Sequence, residues 1–241
     1  MNYIKKITKN ILIIISRIIY WIIPKEFKKN VQPSVLGQIL EDINNKEIIE
    51  TFGEILQKSL IFNITNDLRK YSIQKALEND KNKEYFYLEL GVHKGESANF
   101  FSKFVKKLYA FDSFEGLIED MGGSDAHKGY FNLNKKVPRL NSNVEIISGW
   151  VEDTLDDFLK KHNPKINFVH MDIDTYTSTK YALEKLKPHL VKSAIIVFDE
   201  LYNNVGWRHR EYKALREVFT DDEYEYRAFS LQDTQAVIQL K

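Results

Sequence analysis

Two glycines and two acids stand at a spacing that suits a nucleotide-like ligand. An apolar run that carries Glu89 ends at Gly91, Gly95 follows, and a second apolar run ends on Asp112. A strand that stops at a glycine can turn tightly, and a second glycine lets the next helix approach a ligand without an intervening Cβ. A carboxylate about 20 residues downstream can accept hydrogen bonds from both hydroxyls of a ribose. The pattern favours an adenosine-containing ligand over an ordinary strand-to-helix turn.

The glycine spacing argues against a dinucleotide. A dinucleotide site uses the pattern G-x-G-x-x-G, in which backbone amides pack against a pyrophosphate. The run from Gly91 to Gly95 reads GVHKG and lacks the middle glycine. Glu89 would repel a phosphate, but its carboxylate can accept a hydrogen bond from an ammonium group. The inferred ligand has a ribose, an adenine and a positive centre, which describes S-adenosylmethionine.

Four acids stand at the ends of two later apolar runs. Asp172 and Asp174 close the stretch HMDID, and Asp199 and Glu200 close IIVFDE. Carboxylates that converge at adjacent strand ends repel one another unless a proton or a cation lies between them. An all-oxygen set suits Mg²⁺ or Ca²⁺ rather than zinc. The alternative is that these acids cap helices, above all Asp174, because it directly precedes Thr175 and a helical run.

Several stretches of the chain, in one order, resemble the macrocin O-methyltransferase (TylF-like) family of class I methyltransferases. The resemblance covers roughly Tyr85 to Lys241. The matching stretches are LELGVHKGESANFF, YAFDSFEGL, SGWVEDTL, FVHMDIDTYTSTKYALEKLKPHL, IIVFDE and GWRHREYKAL. The resemblance implies an S-adenosylmethionine-dependent O-methyltransferase assisted by Mg²⁺. The expected acceptor is a sugar hydroxyl, in a natural product or in a surface glycan precursor.

The resemblance also implies which residues form the site. Cofactor contacts are expected for Glu89, Gly91, Gly95, Ser97, Asp112, Ser113, Gly149, Trp150 and Asp172. Ligands to Mg²⁺ are expected to be Asp172, Asp199 and Glu200. Gly149 permits close backbone approach, and the flat ring of Trp150 can cover a purine. The alternative for Trp150 is ordinary packing between a helix and the sheet.

The general base is open at this stage. Some family members carry a histidine three residues beyond the first metal-binding aspartate, where this chain has Thr175. The candidates are Asp174, His209 and His127, and each of them also has an ordinary surface interpretation. If a metal and proximity suffice to acidify the hydroxyl, no strong base is required.

Composition places the chain among globular proteins. It has 241 residues, 43% hydrophobic and 29% charged, with a net charge of +1. Seven basic residues and one acid precede residue 31, so the remainder is mildly acidic. An acidic body disfavours nucleic acid as a partner, because such grooves are usually basic. The chain has no cysteine, which excludes disulfides and thiolate chemistry and is compatible with the cytoplasm.

The first thirty residues have a composition of their own. Ile11 to Ile23 is apolar, but it is short for a membrane span and is interrupted by Arg17. As a helix, residues 1–30 would place isoleucines on one face and basic residues elsewhere, a pattern typical of an interfacial helix on the inner face of a membrane. Contact with a partner subunit in a homo-oligomer and a signal-like anchor are the alternatives.

The pattern of residues 31–241 predicts an α/β architecture. Residues 31–82 read as a helical extension, and residues 83–241 alternate strands with helices. We expect a Rossmann-like, seven-stranded, mostly parallel sheet with helices on both faces. The strand candidates are Tyr85–Leu90, Lys107–Phe111, Val144–Ser148, Ile166–Met171, Ala194–Phe198, Tyr224–Ser230 and Ala236–Leu240.

The long connection from Glu119 to Pro138 is interpreted as a lid over the acceptor, with Tyr130, Phe131 and Arg139 as candidate contacts.

Two other classes of function stay open. One is a nicotinamide-dependent oxidoreductase on a similar sheet, which the missing middle glycine disfavours. The other is a non-catalytic binding protein that retains the fold, which the intact acids at the strand ends disfavour.

Overall fold

A computed structural model describes residues 34–241. The expected N-terminal helix over residues 1–30 lies outside the described residues. The chain divides into two units between Ile43 and Asn44, and residues 44–241 form the larger one. Of the first unit, residues 34–43 are described. No helix among residues 34–241 has the length and apolar character needed to cross a membrane.

Helices and strands alternate along residues 83–241, as the sequence predicts. The helices are α1 (Val35–Leu56), α2 (Thr65–Asn79), α3 (Glu96–Phe101), α4 (Val151–His162), α5 (Tyr176–Leu186) and α6 (Glu211–Val218). Single turns of 3₁₀ helix lie at Lys187–His189 and Trp207–His209. The strands are β1 (Leu60–Phe62), β2 (Phe86–Leu90), β3 (Leu108–Asp112), β4 (Val144–Ser148), β5 (Ile166–Met171), β6 (Leu190–Phe198), β7 (Tyr224–Ser230) and β8 (Ala236–Leu240).

One sheet contains all these strands in the order β1-β7-β8-β6-β5-β2-β3-β4. β2, β3, β4, β5 and β6 are parallel, whereas β8 runs antiparallel between β6 and β7. The carboxyl ends of β2, β3, β5 and β6 therefore meet at one edge, and ligands in open α/β sheets bind at that edge. The expected Rossmann-like, mostly parallel sheet is confirmed.

The sheet has eight strands rather than the expected seven. The additional strand is β1, which pairs in parallel with β7 through Leu60 and Ala228. It lies in the segment that was expected to be purely helical. A run of three residues is too short to show a strand period, and it is held in place by its pairing with β7 rather than by a local signal.

Helices cover both faces of the sheet, as expected. On one face α4, α5 and α6 pack with Phe52 of α1 against the sheet. On the other face, α2 and α3 contribute Leu68, Ile73 and Phe101 to a second core. β5 is buried along its whole length because it lies between these two layers. Polar side chains within β5 therefore need partners inside the protein.

The long connection between β3 and β4 folds back on itself. The amide of Leu117 donates to the carbonyl of Tyr130 at 2.9 Å, and the amide of Gly129 donates to the carbonyl of Leu117 at 2.9 Å. Leu117, Met121 and Ala126 form a small buried cluster of their own. The segment is thus a packed cover with internal hydrogen bonds.

Candidate functional site

A cavity of about 270 Å³ opens at the carboxyl ends of the strands. It is lined by nine of the residues singled out from the sequence, namely Gly91, Asp112, Ser113, Gly149, Trp150, Asp172, Asp174, Asp199 and Glu200. The β3–β4 connection contributes Gly116, Leu117, Ile118 and Phe131 to the same wall. Because the glycine turn and the acidic strand ends share one cavity, a nucleotide-like ligand and a cation can lie side by side there.

Gly91 forms the tightest point of the cavity wall. Its φ is +88°, and a Cβ built there would lie 1.7 Å from the carbonyl oxygen of Asp172. Its amide donates to the carbonyl of Phe111 at 2.9 Å, and the Asp172 amide donates to Leu90 at 2.8 Å. The end of β2 is therefore hydrogen-bonded to both neighbouring strands. Only glycine, which has no Cβ, allows the backbone of Asp172 to lie this close.

Asp112 organises the turn after β2. Its Oδ2 accepts hydrogen bonds from the amides of Val92 and His93 at 2.8 and 2.7 Å, and its Oδ1 accepts one from the amide of Phe114 at 2.6 Å. A carboxylate offers about four acceptor positions, so about one remains for a ribose hydroxyl. Asp112 thus holds the turn as well as facing the cavity, a double role that the spacing alone does not reveal.

The segment that leads into α4 and the first turn of that helix also line the cavity. Gly149 has a φ of +141°, and Trp150 and Glu152 follow it along the wall. The Ser178 hydroxyl donates to Glu152 Oε1 at 2.6 Å, which links α4 to α5. Glu152 and Ser178 were not singled out from the sequence, because only packing of the two helices brings them together.

Three carboxyl groups of the cavity have raised pKa values. Burial is the main cause in each case. The charge of a neighbouring acid adds to it at Asp172 and Asp174, whereas at Glu200 the charge of Arg210 partly opposes it. The pKa of Asp172 is well above its usual range, with Asp199 as the main charged neighbour. The pKa of Asp174 is raised to about 7, and that of Glu200 is also raised. This end of the cavity therefore favours a proton or a cation between the acids.

A buried histidine joins two of the acids across three neighbouring strands. His170 Nδ1 lies 3.0 Å from Glu89 Oε1, and its Nε2 lies 3.5 Å from Asp199 Oδ1. His170 and Glu89 are fully buried. Burial alone would lower the pKa of His170, but the carboxylates of Asp199 and Glu89 outweigh burial and raise it to about 9. The same histidine lowers the pKa of Asp199, against the effect of burial.

Two arginines reach the acids at the end of β6. Arg69 of α2 lies 3.3 Å from Asp199 Oδ1, which also accepts a hydrogen bond from Gln235. Arg210 Nη1 lies 3.1 Å from Glu200 Oε2. The sequence gives no sign of these pairs, because Arg69 lies far from Asp199 along the chain.

Four of the expected site residues are not among those lining the cavity. Glu89 points to His170 inside the sheet. Gly95, with a φ of +80°, backs onto Leu140, and Ser97 is buried within α3. His209 is exposed on its 3₁₀ turn. Of the proposed bases, Asp174 alone lies in the cavity wall, since His127 is also exposed.

Two acids that line the cavity, Asp172 and Asp199, fit a divalent cation together with the buried His170 beside them. Ligand atoms of His170, Asp172 and Asp199 can all lie within 4.8 Å of one another. Within residues 34–241, no hydrogen-bond donor reaches the side-chain oxygens of Asp172, and no Lys or Arg pairs with it. Carboxylates without a protein partner are the groups that a hard cation satisfies.

Comparisons with known proteins agree with this geometry. The family model described as a methyltransferase domain matches residues 88–201. The solved structure of CalS11, a calicheamicin methyltransferase, has a TM-score of 0.59 at 20% identity and covers 86% of this chain and 94% of its own. An apo structure of CalS11, described as a TDP-rhamnose 3'-O-methyltransferase, has a TM-score of 0.52 at 20% identity, with 85% and 91% covered.

The O-methyltransferase NovP has a TM-score of 0.52 at 16% identity, with 73% of this chain and 79% of its own covered. No curated protein sequence matches the chain significantly. Identities at this level show a shared fold. The chain therefore has the Rossmann-like fold of these methyltransferases, and its residues 88–201 match the family model described as a methyltransferase domain.

Proposed function

We propose that this chain is an S-adenosylmethionine-dependent O-methyltransferase of the macrocin O-methyltransferase (TylF-like) kind, assisted by a divalent cation. One observation carries the proposal. A single cavity is lined both by the glycine turn with Asp112 and by the acids Asp172, Asp174 and Asp199. The first set suits an adenosine, and the second suits a cation beside a hydroxyl that must lose its proton.

Each residue of the cavity has a defined part in this proposal. Gly91 lets the cofactor approach the strand end, and Asp112 offers one acceptor position to its ribose. Trp150 lines the same cavity, and we expect it to pack against the adenine. Bound S-adenosylmethionine supplies the methyl group on its sulfonium. Asp174 accepts the proton of the acceptor hydroxyl as the new carbon–oxygen bond forms and the carbon–sulfur bond breaks.

The expected ligands of Mg²⁺ are Asp172, Asp199 and Glu200, all of which line the cavity. When bound there, a divalent cation would act as a Lewis acid that lowers the pKa of the acceptor hydroxyl. The carboxylates themselves fix where that hydroxyl can lie, beside Asp174. Exclusion of water falls to Phe131 and the rest of the β3–β4 connection, which forms one wall of the cavity.

A sugar is the acceptor we propose, in a natural product or in a surface glycan precursor. The solved neighbour described as a TDP-rhamnose 3'-O-methyltransferase acts on a sugar nucleotide, which supports this choice. The decisive assay supplies S-adenosylmethionine with a labelled methyl group and a panel of nucleotide sugars. Label recovered in an alkali-stable ether of a sugar would support the proposal. Label recovered on nitrogen or carbon alone would refute O-methylation.

Asp112→Asn is expected to weaken binding of S-adenosylhomocysteine by roughly 10- to 100-fold, because charge-assisted hydrogen bonds to the turn and to the ribose are lost. Titration calorimetry of the full-length protein measures this loss. Glu115→Gln is the matched control, since Glu115 pairs with Lys135 on the surface and does not line the cavity. Absence of binding to the unsubstituted protein would remove the methyltransferase proposal.

We further propose a cytoplasmic protein whose residues 1–30 contact the inner face of the membrane, with a homo-oligomer contact as the alternative. The seven basic residues of that segment are the basis. In a flotation assay, the full-length protein is expected to bind vesicles that contain anionic lipid and to be released by high salt. Equal partitioning with neutral and anionic vesicles would contradict the proposal.

A further inference from the structure

We propose that the chain carries a second ligand site, for a neutral carbohydrate, at the edge of the sheet opposite the cavity described above. The inference goes beyond the proposed function and does not rest on it. A second cavity, of about 500 Å³, lies where α1, α6 and the start of β7 meet, within residues 44–241. Among the described residues, the two cavities share no lining residue. The volume is within the range of about 300–1,000 Å³ that is usual for small-molecule sites.

The direction of β7 separates the second cavity from the first. β8 is antiparallel to both β6 and β7, so β7 runs in the same direction as β6. Tyr224, the first residue of β7, therefore lies at the edge opposite the carboxyl ends of the parallel strands. From Tyr224 to Ser230 the strand spans about 20 Å. A small ligand beside Tyr224 is thus out of reach of Asp112 and Asp172.

Packed aromatic rings form much of the wall of the second cavity. Phe52 of α1 is among the lining residues and is fully buried. Its ring centroid lies 5.6 Å from that of Tyr212 and 5.5 Å from that of Tyr226, edge to face in both cases. Tyr224 meets Tyr226 edge to face at 5.4 Å. Because these rings already hold one another in place, a ligand that contacts them costs little side-chain entropy. The negative face of an aromatic ring attracts the C–H groups of a sugar ring.

Hydrogen-bonding groups stand beside these rings. Arg216 pairs with Asp221 and donates to the hydroxyl of Tyr224 at 3.4 Å. A guanidinium has five donors and a carboxylate about four acceptor positions, so the pair keeps capacity for a ligand. The hydroxyl of Tyr212 has no hydrogen-bond partner among residues 34–241. The cavity therefore offers donors and acceptors next to ring faces, and a sugar carries hydroxyls next to an apolar face.

The charges of the lining residues decide the class of ligand. Among the described residues that line the second cavity, Glu50 and Asp221 are acidic and Arg216 is basic, so their net charge is −1. A phosphate or a carboxylate would be repelled by the two acids. A purely apolar ligand would remove water from Arg216, Asp221 and the Tyr212 hydroxyl without replacing its hydrogen bonds. A neutral ligand with many hydroxyls avoids both costs, which is why we name a carbohydrate.

The test uses full-length protein with ¹³C-labelled tyrosine, titrated with maltohexaose, cellohexaose, laminarihexaose and chitohexaose. NMR spectra record the tyrosine ring signals and their nuclear Overhauser contacts with the sugar. The proposal predicts saturable binding of at least one of these oligosaccharides, with contacts from sugar C–H protons to the rings of Tyr212 or Tyr226. Absence of binding by all four would overturn the proposal.

Conservative variants locate the bound sugar. Tyr212→Phe removes one hydroxyl and should weaken binding by about 2- to 10-fold, and Arg216→Gln should weaken it by roughly 10- to 100-fold. Tyr71→Phe and Arg227→Gln are the matched controls and should bind like the unsubstituted protein. Tyr71 packs against Phe62, Arg227 donates to Gln239 at 2.7 Å, and neither is among the residues that line the second cavity.

The remaining outcomes would each contradict the proposal. Sugar binding that is unchanged in both Tyr212→Phe and Arg216→Gln would place the sugar elsewhere on the protein. Tyrosine signals that shift with protein concentration and not with sugar would make the second cavity an interface between copies of the chain. The affinity for S-adenosylhomocysteine should be the same in all four variants, so its measurement tests the proposed methyl transfer separately from the carbohydrate site.

Discussion

Replacement of Gly91 by alanine is expected to destabilise the protein by about 4 kcal/mol and to abolish binding of S-adenosylhomocysteine. The added Cβ would lie 1.7 Å from the carbonyl oxygen of Asp172, so the backbone must move. The φ of +88° adds a cost, because residues with a Cβ rarely adopt it. Movement of this turn displaces both the cofactor wall and the strand end that carries Asp172.

Denaturant unfolding and titration calorimetry measure the two effects of this substitution. Gly129→Ala is the matched control, because Gly129 has a similar φ of +81° but open space around its Cβ position. It should cost about 1 kcal/mol and leave cofactor affinity unchanged. If the two substitutions lower the free energy of unfolding equally, glycine is required at position 91 because of its backbone conformation and not because of the close approach to Asp172.

Asp174→Asn is expected to lower the rate of methyl transfer by roughly 10²- to 10⁴-fold while leaving the affinity for S-adenosylhomocysteine nearly unchanged. The substitution keeps the shape of the side chain but removes its ability to accept a proton. Asparagine also tolerates the φ of +58° found at this position, so the backbone should be retained. Among the proposed bases, Asp174 is the one in the cavity wall.

Single-turnover rates with labelled cofactor, on the sugar acceptor that the panel identifies, test this expectation. Asp153→Asn is the matched control, because Asp153 is an exposed acid on the first turn of α4. A loss of acceptor binding with an unchanged rate constant would show that Asp174 positions the acceptor and is not the base. If neither the rate nor the KM changed, Asp174 would not be the base, and the cation and the proximity of the reactants would suffice to acidify the acceptor hydroxyl.

Much of the scaffold could be predicted because its signals are local. The bounds of Val144–Ser148, Ile166–Met171, Tyr224–Ser230 and Ala236–Leu240 agree with the structure. A run of apolar residues indicates a buried strand, and a glycine or an acidic residue directly after the run indicates where the strand ends. Both signals lie within a few residues of each other in the chain. The short β1 gave no such signal, because its place depends on β7, which lies far along the chain.

The convergence of the acids could also be predicted, since parallel strands bring their carboxyl ends to one edge. The direction of each side chain could not. Glu89 was expected at the cofactor, but it meets His170 from the neighbouring strand inside the sheet. His209 was a candidate base, but it is exposed.

The sequence by itself determined the class of sheet, the glycine turn and the set of acids at its edge, because these follow from backbone conformation and hydrophobic period. Only the tertiary structure decided which acids are paired and which are free. Arg69 and Asp199 are 130 residues apart in the chain, and Glu89 and His170 are 81 apart. Pairs at such separations form only when strands and helices pack, and they decide which carboxylates remain available to a cation.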